Sequence, residues 1–354
     1  MKKRSLQIIM TLVLSALALY LALRGVNFSE VGTALRQVRI DWLLLTFALI
    51  LVTLIIRAQR WRILLGRKLS LRDTFGLINI GYLVSGVLPL RAGDPARAVA
   101  ASMRGPVSII AALSTVVVER VLDMFLIVIM LVGTLPFVPG LRTYLAGGQV
   151  GGSLSFQLVI ILSGALALGM LVMFILVALF PQKIEALARR SLEMLHIPNP
   201  ERWLKPVQHA LDGLIALRSA REGAALLLWS VALWIATPLY FMTAMQACRA
   251  FLPAGDFALK GTVATWASAF GMVFPATGGL GSFHFAVREA LFWGFAIPRD
   301  AGFTYAVIAH ALAYLTGIAL GALTLLIWGM SFKSLVSNAQ QVEATPESSS
   351  SNPA

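Results

Sequence analysis

The chain is poor in the residues that crosslink, bind metals or carry charge. Of 354 residues one is cysteine, Cys248, which excludes a disulfide framework and a cysteine-built metal site. The four histidines are scattered, without His-x-x-x-His spacing, so neither a metal nor another cofactor is expected. Only 13% of residues are charged, far below a soluble domain of ordinary composition. Acid is scarcer than base, 16 residues against 29, for a net charge of +13. No stripe of aromatics interleaved with Lys or Arg accompanies that excess, so it does not point to nucleic acid.

Apolar residues are abundant, at 58% of the chain. The expectation is an all-α integral membrane protein. Crossing ~30 Å of hydrocarbon takes about 20 apolar residues in a helix. Six segments qualify or nearly do: Leu6–Leu23, Trp42–Ile56, Ser108–Leu135, Phe156–Phe180, Gly223–Cys248 and Ala301–Met330. The second is short and is expected to extend past Arg57, whose side chain can snorkel to the interface. Lys2-Lys3-Arg4 before the first run resembles the start of a signal peptide. The run is longer than a signal core and lacks a small-x-small cleavage site, so a retained span is expected.

Basic residues collect on cytoplasmic loops of polytopic proteins. Lys2, Lys3 and Arg4 precede span one. Arg57, Arg60, Arg62, Arg67, Lys68 and Arg72 follow span two. Lys183, Arg189, Arg190, Arg202, Lys205, Arg218 and Arg221 lie between spans four and five, and Lys333 follows span six. All four groups share a side only if both termini are cytoplasmic. Between spans four and five, the loop 181–222 carries Leu204, Val207, Leu211, Leu214 and Leu217 at helical spacing, as in an amphipathic helix on anionic headgroups. The polar tail 333–354 has a composition that predicts disorder. Neither region is large enough for a soluble catalytic domain.

Two further apolar stretches are broken alike. Val87–Arg97 reads VLPLRAGDPAR and Val273–Phe283 reads VFPATGGLGSF. Pro89 and Gly93 recur as Pro275 and Gly279 at one offset (275 − 89 and 279 − 93 both give 186). Backbone freed by Pro and Gly at membrane depth is tolerated where protein or a water-filled cavity satisfies it. Matching interruptions in two halves point to a transporter's binding site. The charge-based topology starts and ends the first segment, about 75–103, on the cytoplasmic side, and the second, about 257–297, on the outer side. Two readings preserve that parity: a pair of full spans in each, or a re-entrant helical hairpin. The short limbs favour re-entry. A domain over 1–332 is then expected, with six spans, two re-entrant hairpins and an inverted-topology repeat, half one about 1–140 and half two about 150–332.

Charges within spans cost about 2.5–3.5 kcal/mol each on insertion scales and are functional candidates by default. Span three holds Glu119, Arg120 and Asp123, with the two carboxylates at i,i+4 on one face. They are either an internal ion pair that neutralises Arg120 and locks packing, or part of a polar site. Hairpin one carries Arg91, Asp94 and Arg97. Asp94 before Pro95 suits an N-cap, while the two arginine forks suit a phosphate-bearing headgroup, unless both snorkel to the surface. Hairpin two has Gly278, Gly279 and Gly281 before Ser282 and His284, a turn that can bring helix N–H groups to an anion. His284 and Arg288 are i,i+4, as are His310 and Tyr314 in span six. Each histidine serves either as an interhelical hydrogen-bond partner or in headgroup binding or proton coupling.

Several of these pieces occur together in one order: Arg57-x-x-Arg60-Trp61-x-x-Leu64-Leu65, Leu88-Pro89-x-Arg91-x-Gly93-Asp94-x-x-Arg97, Glu119-Arg120-x-x-Asp123, Gly278-x-x-Gly281-x-Phe283-His284, and His310 with Tyr314. From about Ile8 to Met330 the chain resembles the flippase-like transmembrane family named after the N-terminal part of lysylphosphatidylglycerol synthases. Asp94 stands where that family more often has Glu, Ser85 where Asn is common, and His284 where many relatives have Glu. The resemblance implies lipid translocation in a bacterial inner membrane, with aminoacylated, polyprenyl- or hopanoid-linked lipids handled by relatives. The aminoacyl-transfer domain of the full-length synthases has no counterpart here, so synthesis of aminoacyl-lipid is not expected.

The leading expectation is therefore a non-enzymatic transporter of a phospholipid or other lipid-linked anionic headgroup. Its hairpins would meet near the midplane around Arg91, Arg97, Glu119, Arg120, Asp123 and His284. Two rivals stand: a membrane glycosyltransferase using Glu30 or Asp41 at the outer surface, and a non-transporting partner of a lipid-synthesis enzyme.

Overall fold

The protein is seen here as a computed structural model. It describes residues 2–88, 92–140, 180–195, 219–253, 255–273 and 276–337, with isolated positions between 165 and 208. Every regular element among the described residues is helical. Among the described residues the α-helices are α1 (Lys2–Leu23), α2 (Phe28–Arg36), α3 (Ile40–Leu64), α4 (Leu71–Val87), α5 (Gly93–Arg104), α6 (Ile109–Thr134), α7 (Pro181–Met194), α8 (Ala220–Ala247), α9 (Phe257–Gly271), α10 (Ser282–Phe295) and α11 (Arg299–Trp328).

Three of them, α3, α8 and α11, are long and apolar enough to cross a membrane. The chain is a multi-pass membrane protein. Helix α6 has 26 residues and is strongly apolar apart from Glu119, Arg120 and Asp123 near its middle. As expected, α3 runs beyond Arg57, ending at Leu64. The expected span Phe156–Phe180 lies almost wholly outside the described residues, as do most of the tail, Pro89, Arg91 and Pro275.

The chain divides into two compact units, and four helices, α3, α6, α8 and α11, contribute residues to both. Unit 1 comprises 1–54, 123–171 and 231–316, and unit 2 comprises 55–122, 172–230 and 317–354. Each unit holds one broken segment as a helical hairpin.

In unit 2 the hairpin is α4 and α5. Ser70 caps α4 by accepting the Asp73 N–H at 3.0 Å, and the helix gives way to extended backbone at Leu88. The limbs pack backbone to backbone. A Cβ on Gly93 would lie 2.1 Å from the Gly81 carbonyl oxygen and 2.2 Å from Ser85 Oγ, so only glycine fits. The apolar core around it includes Trp61, Leu77, Ile80, Val99 and Leu226. Leu204 is fully buried, and Val207 packs on this same core. The loop's apolar stripe was expected on headgroups. These two members instead spend their apolar surface on protein, while Leu211, Leu214 and Leu217 lie outside the described residues.

In unit 1 the hairpin is α9 and α10, joined through a 3₁₀ turn at Thr277–Gly279. Asp256 caps α9 by accepting the Leu259 N–H at 2.9 Å. Helix α10 starts after Gly281, which has φ 85° and faces the α1 backbone so closely that a Cβ would lie 2.3 Å from Leu19 N. Phe241, Met245, Phe283, Leu291 and Tyr305 form the core, and the Tyr305 hydroxyl donates to the Phe241 carbonyl at 3.0 Å.

The four hairpin limbs have 17, 12, 15 and 14 residues. At 1.5 Å per residue they are roughly 18–26 Å long, short of the ~30 Å a full span needs.

Candidate functional site

A dense cluster of charge is buried in unit 2. It is built where α3, α5 and α6 converge. Arg60 on α3 is wholly inaccessible and donates to Glu119 Oε1 at 2.8 Å. Arg97 on α5 donates to the other oxygen, Oε2, at 2.7 Å. One carboxylate on α6 thus holds two guanidinium groups, with 3% of its own side chain exposed. Arg97 also lies over the Trp61 ring, 4.8 Å from its centre, and Trp61 Nε1 donates to Thr115 Oγ1 at 2.9 Å. Stacking and the indole bond fix the direction from which the Arg97 fork approaches.

Asp94 closes the cluster on its more open side. Its carboxylate is ion-paired with Arg97 Nη2 at 3.0 Å and accepts from Arg120 Nη2 at 3.1 Å. Asp94 and Arg120 are the exposed members, with 32% and 51% of their side chains accessible. Asp94, a candidate binding residue, also suited the N-cap of the returning limb. Gly93 is instead the first helical residue, and the cap position is Ala92, which offers no side-chain bond. One residue inside the helix, the Asp94 carboxylate reaches the arginines.

The cluster contains three guanidinium groups and two carboxylates, one positive charge in excess. Such a set can grip an anion without accumulating negative charge in a low-dielectric site. Arg97 Nε is buried with no hydrogen-bond partner among the described residues.

Unit 1 carries a second, neutral polar group. The Gly281 N–H points at His284 Nδ1, 3.3 Å away, and His284 Nε2 lies 3.4 Å from His310 Nδ1. A backbone N–H can only donate, so His284 Nδ1 must accept, and the neutral ring then carries its proton on Nε2. That proton is directed at His310 Nδ1. His310 also bonds the Gly278 backbone, and its ring is stacked on Phe283 at 4.4 Å. Tyr314 lies against Gly278 and edge-on to His310 at 5.4 Å. This relay of bonds ties the start of α10 to α11.

Arg288 is committed elsewhere. Its Nη1 donates to the carbonyls of Ala22 at 2.6 Å and Arg24 at 3.1 Å, and its remaining donors face Glu289. It satisfies the carboxyl end of α1. Asp123 accepts from Trp234 Nε1 at 3.1 Å within unit 1. Gly279 is a buried residue of the 3₁₀ turn.

Of the candidate residues, Asp94, Arg97, Glu119 and Arg120 are brought together in unit 2. Gly278, Gly279, Gly281, His284, His310 and Tyr314 gather at the hairpin turn of unit 1, and Arg91 lies outside the described residues. Sequence reasoning missed Arg60 as a member, counting it among the cytoplasmic loop charges. It is four residues past Ile56 and seven past Thr53, both buried, so helical phase was the available signal.

Comparison with known families decides the affiliation. The family model described as the lysylphosphatidylglycerol synthase TM region matches residues 8–321. The chain belongs to that family. No curated protein and no solved structure matches the chain. Within the lysylphosphatidylglycerol synthase TM region, the match covers both hairpins and every member of both polar groups. The family ties the chain to membrane lipids.

Proposed function

We propose that the protein moves a lipid with an anionic, phosphate-bearing headgroup across a bacterial inner membrane, with both termini cytoplasmic. The carrying observation is the cluster Arg60–Glu119–Arg97–Asp94–Arg120, net positive and beside the break of the α4–α5 hairpin. The limbs are too short to span, which supports re-entrant hairpins in an inverted repeat. A polar hairpin break lets a headgroup leave water while its acyl chains stay in lipid, so the largest barrier to translocation, desolvation of the charge, is lowered.

The reading is of a transporter and not of an enzyme. The outer carboxylates a glycosyl transfer would draw on are held by neighbours: Asp41 by Arg39, and Glu30 by the Asn27 side-chain amide at 3.1 Å.

The test is translocation of fluorescent phosphatidylglycerol in proteoliposomes, read by the fraction of label that an impermeant reductant quenches. Wild-type protein should raise exchange above protein-free vesicles, and Arg97→Gln and Arg120→Gln, folded and inserted, should lose at least about tenfold, one charge-assisted contact each. Full activity in both variants would refute the site. No activity in the wild type, with lipid and headgroup varied, would refute the function.

A further inference from the structure

The Asp94 carboxylate has an unusual position. Its two oxygens span two guanidinium groups on different helices, Arg97 on α5 and Arg120 on α6. The two non-bridging oxygens of a phosphodiester present a similar pair of acceptors to the same two Nη2 groups. We propose that Asp94 is a built-in competitor for the headgroup: it holds the Arg97–Arg120 pair until a phosphodiester takes its place. This rests on the transport reading above and names the residue that sets how tightly the headgroup is held.

Three observations separate Asp94 from Glu119, the other carboxylate in the cluster. Glu119 has almost no exposure and makes the shortest bonds, 2.7 and 2.8 Å, to arginines that are themselves buried. Displacing it would strand both charges away from water. Asp94 bonds at 3.0–3.3 Å and is about one-third exposed, so its charge can be rehydrated when it leaves. It also sits one residue after Gly93, in the first turn of the returning limb, at the end of the helix and not within it.

Displacement keeps the electrostatics in balance. One singly charged anion replaces another at the same two Nη2 groups, and the Glu119 core is untouched. An exchange of this kind also avoids the opposite failure, a site that binds its lipid too tightly to release it. When the headgroup departs, Asp94 returns to its contacts with Arg97 and Arg120.

The experiment uses the full-length protein in detergent, with short-chain phosphatidylglycerol and free glycerol 3-phosphate as probes in isothermal titration. Asp94→Asn and Asp94→Ser should each bind phosphatidylglycerol about tenfold tighter than wild type. Affinity equal to or weaker than wild type in folded variants would overturn the inference. If Arg97→Gln binds like wild type, the transport site itself is wrong. If Arg97→Gln loses binding and the Asp94 variants do not tighten, the site stands and the competitor falls. Equal tightening for glycerol 3-phosphate would keep the competitor and assign the ligand to free phosphate esters. A second measurement needs no variant: carbodiimide labelling of Asp94 in the wild type, read by mass spectrometry, should rise severalfold when phosphatidylglycerol is added, with Glu119 unlabelled. Unchanged or reduced labelling of Asp94 would overturn the inference.

Discussion

Glu119 shows how much a single side chain can carry when water is absent. Its two oxygens bond Arg60 and Arg97, both almost inaccessible. Removing one partner of a buried pair leaves an uncompensated charge, at about 3–5 kcal/mol. Glu119→Gln should therefore lower the thermal unfolding midpoint in detergent far more than a neutral change at an exposed charge, Lys68→Gln. His284 makes a different kind of contribution. As the third residue of α10 it reaches back to the N–H before the helix, the reciprocal half of a capping box, where Glu or Gln is the usual residue. The Glu that many relatives carry here could make the same bond. His284→Gln should thus retain most of the stability, whereas His284→Leu should lose about 1 kcal/mol in the same melting assay. Equal losses would show that the cap contributes nothing.

At the scale of elements, the two hairpins are defined by their breaks and by how closely their limbs approach. Gly93 is the tightest point of α4–α5, and an added methyl there meets the Gly81 carbonyl and Ser85. Overpacking of this kind costs roughly 1–3 kcal/mol or more, since backbone has to move. Gly133 in α6 has open space around it. Gly93→Ala should reduce folded yield and melting temperature, while Gly133→Ala should be neutral or slightly stabilising because alanine is the better helix former. Comparable effects in both would mean the close approach is not structural. The breaks themselves were legible from Pro-Gly punctuation. The partners of the charges were not, because spacing within one helix shows which residues share a face and not which neighbour that face meets. Glu119, Arg120 and Asp123 share a stretch of α6, yet bond to Arg60 and Arg97, to Asp94, and to Trp234 respectively.

At the scale of the whole molecule, the charge pattern makes a topological claim. Lys68 and Pro106 flank the α4–α5 hairpin, and Ala250 and Pro298 flank α9–α10; all four are exposed. With Cys248 buried and therefore silent, single cysteines at 68 and 106 should react with an impermeant maleimide only from the cytoplasmic side, and cysteines at 250 and 298 only from the outside. Labelling of 68 and 250 from one side would overturn the orientation and with it the inverted repeat.

The sequence by itself determined that the chain lives in a membrane, where its described long helices run, and that two of its apolar stretches must break. Each of these follows from local quantities: hydrophobic length against bilayer thickness, charge against hydrocarbon, and the backbone limits of Pro and Gly. Tertiary structure decided which charges became partners. Arg60, counted by sequence among the cytoplasmic loop charges, is the buried half of an ion pair, and Asp94, which also suited a helix cap, bridges two arginines. Leu204 exchanged a headgroup surface for a protein core. The physical reason is common to all three. Burying a charge or an apolar side chain is decided by whatever meets it across space, and for Arg60 that is a carboxylate 59 positions away in the chain.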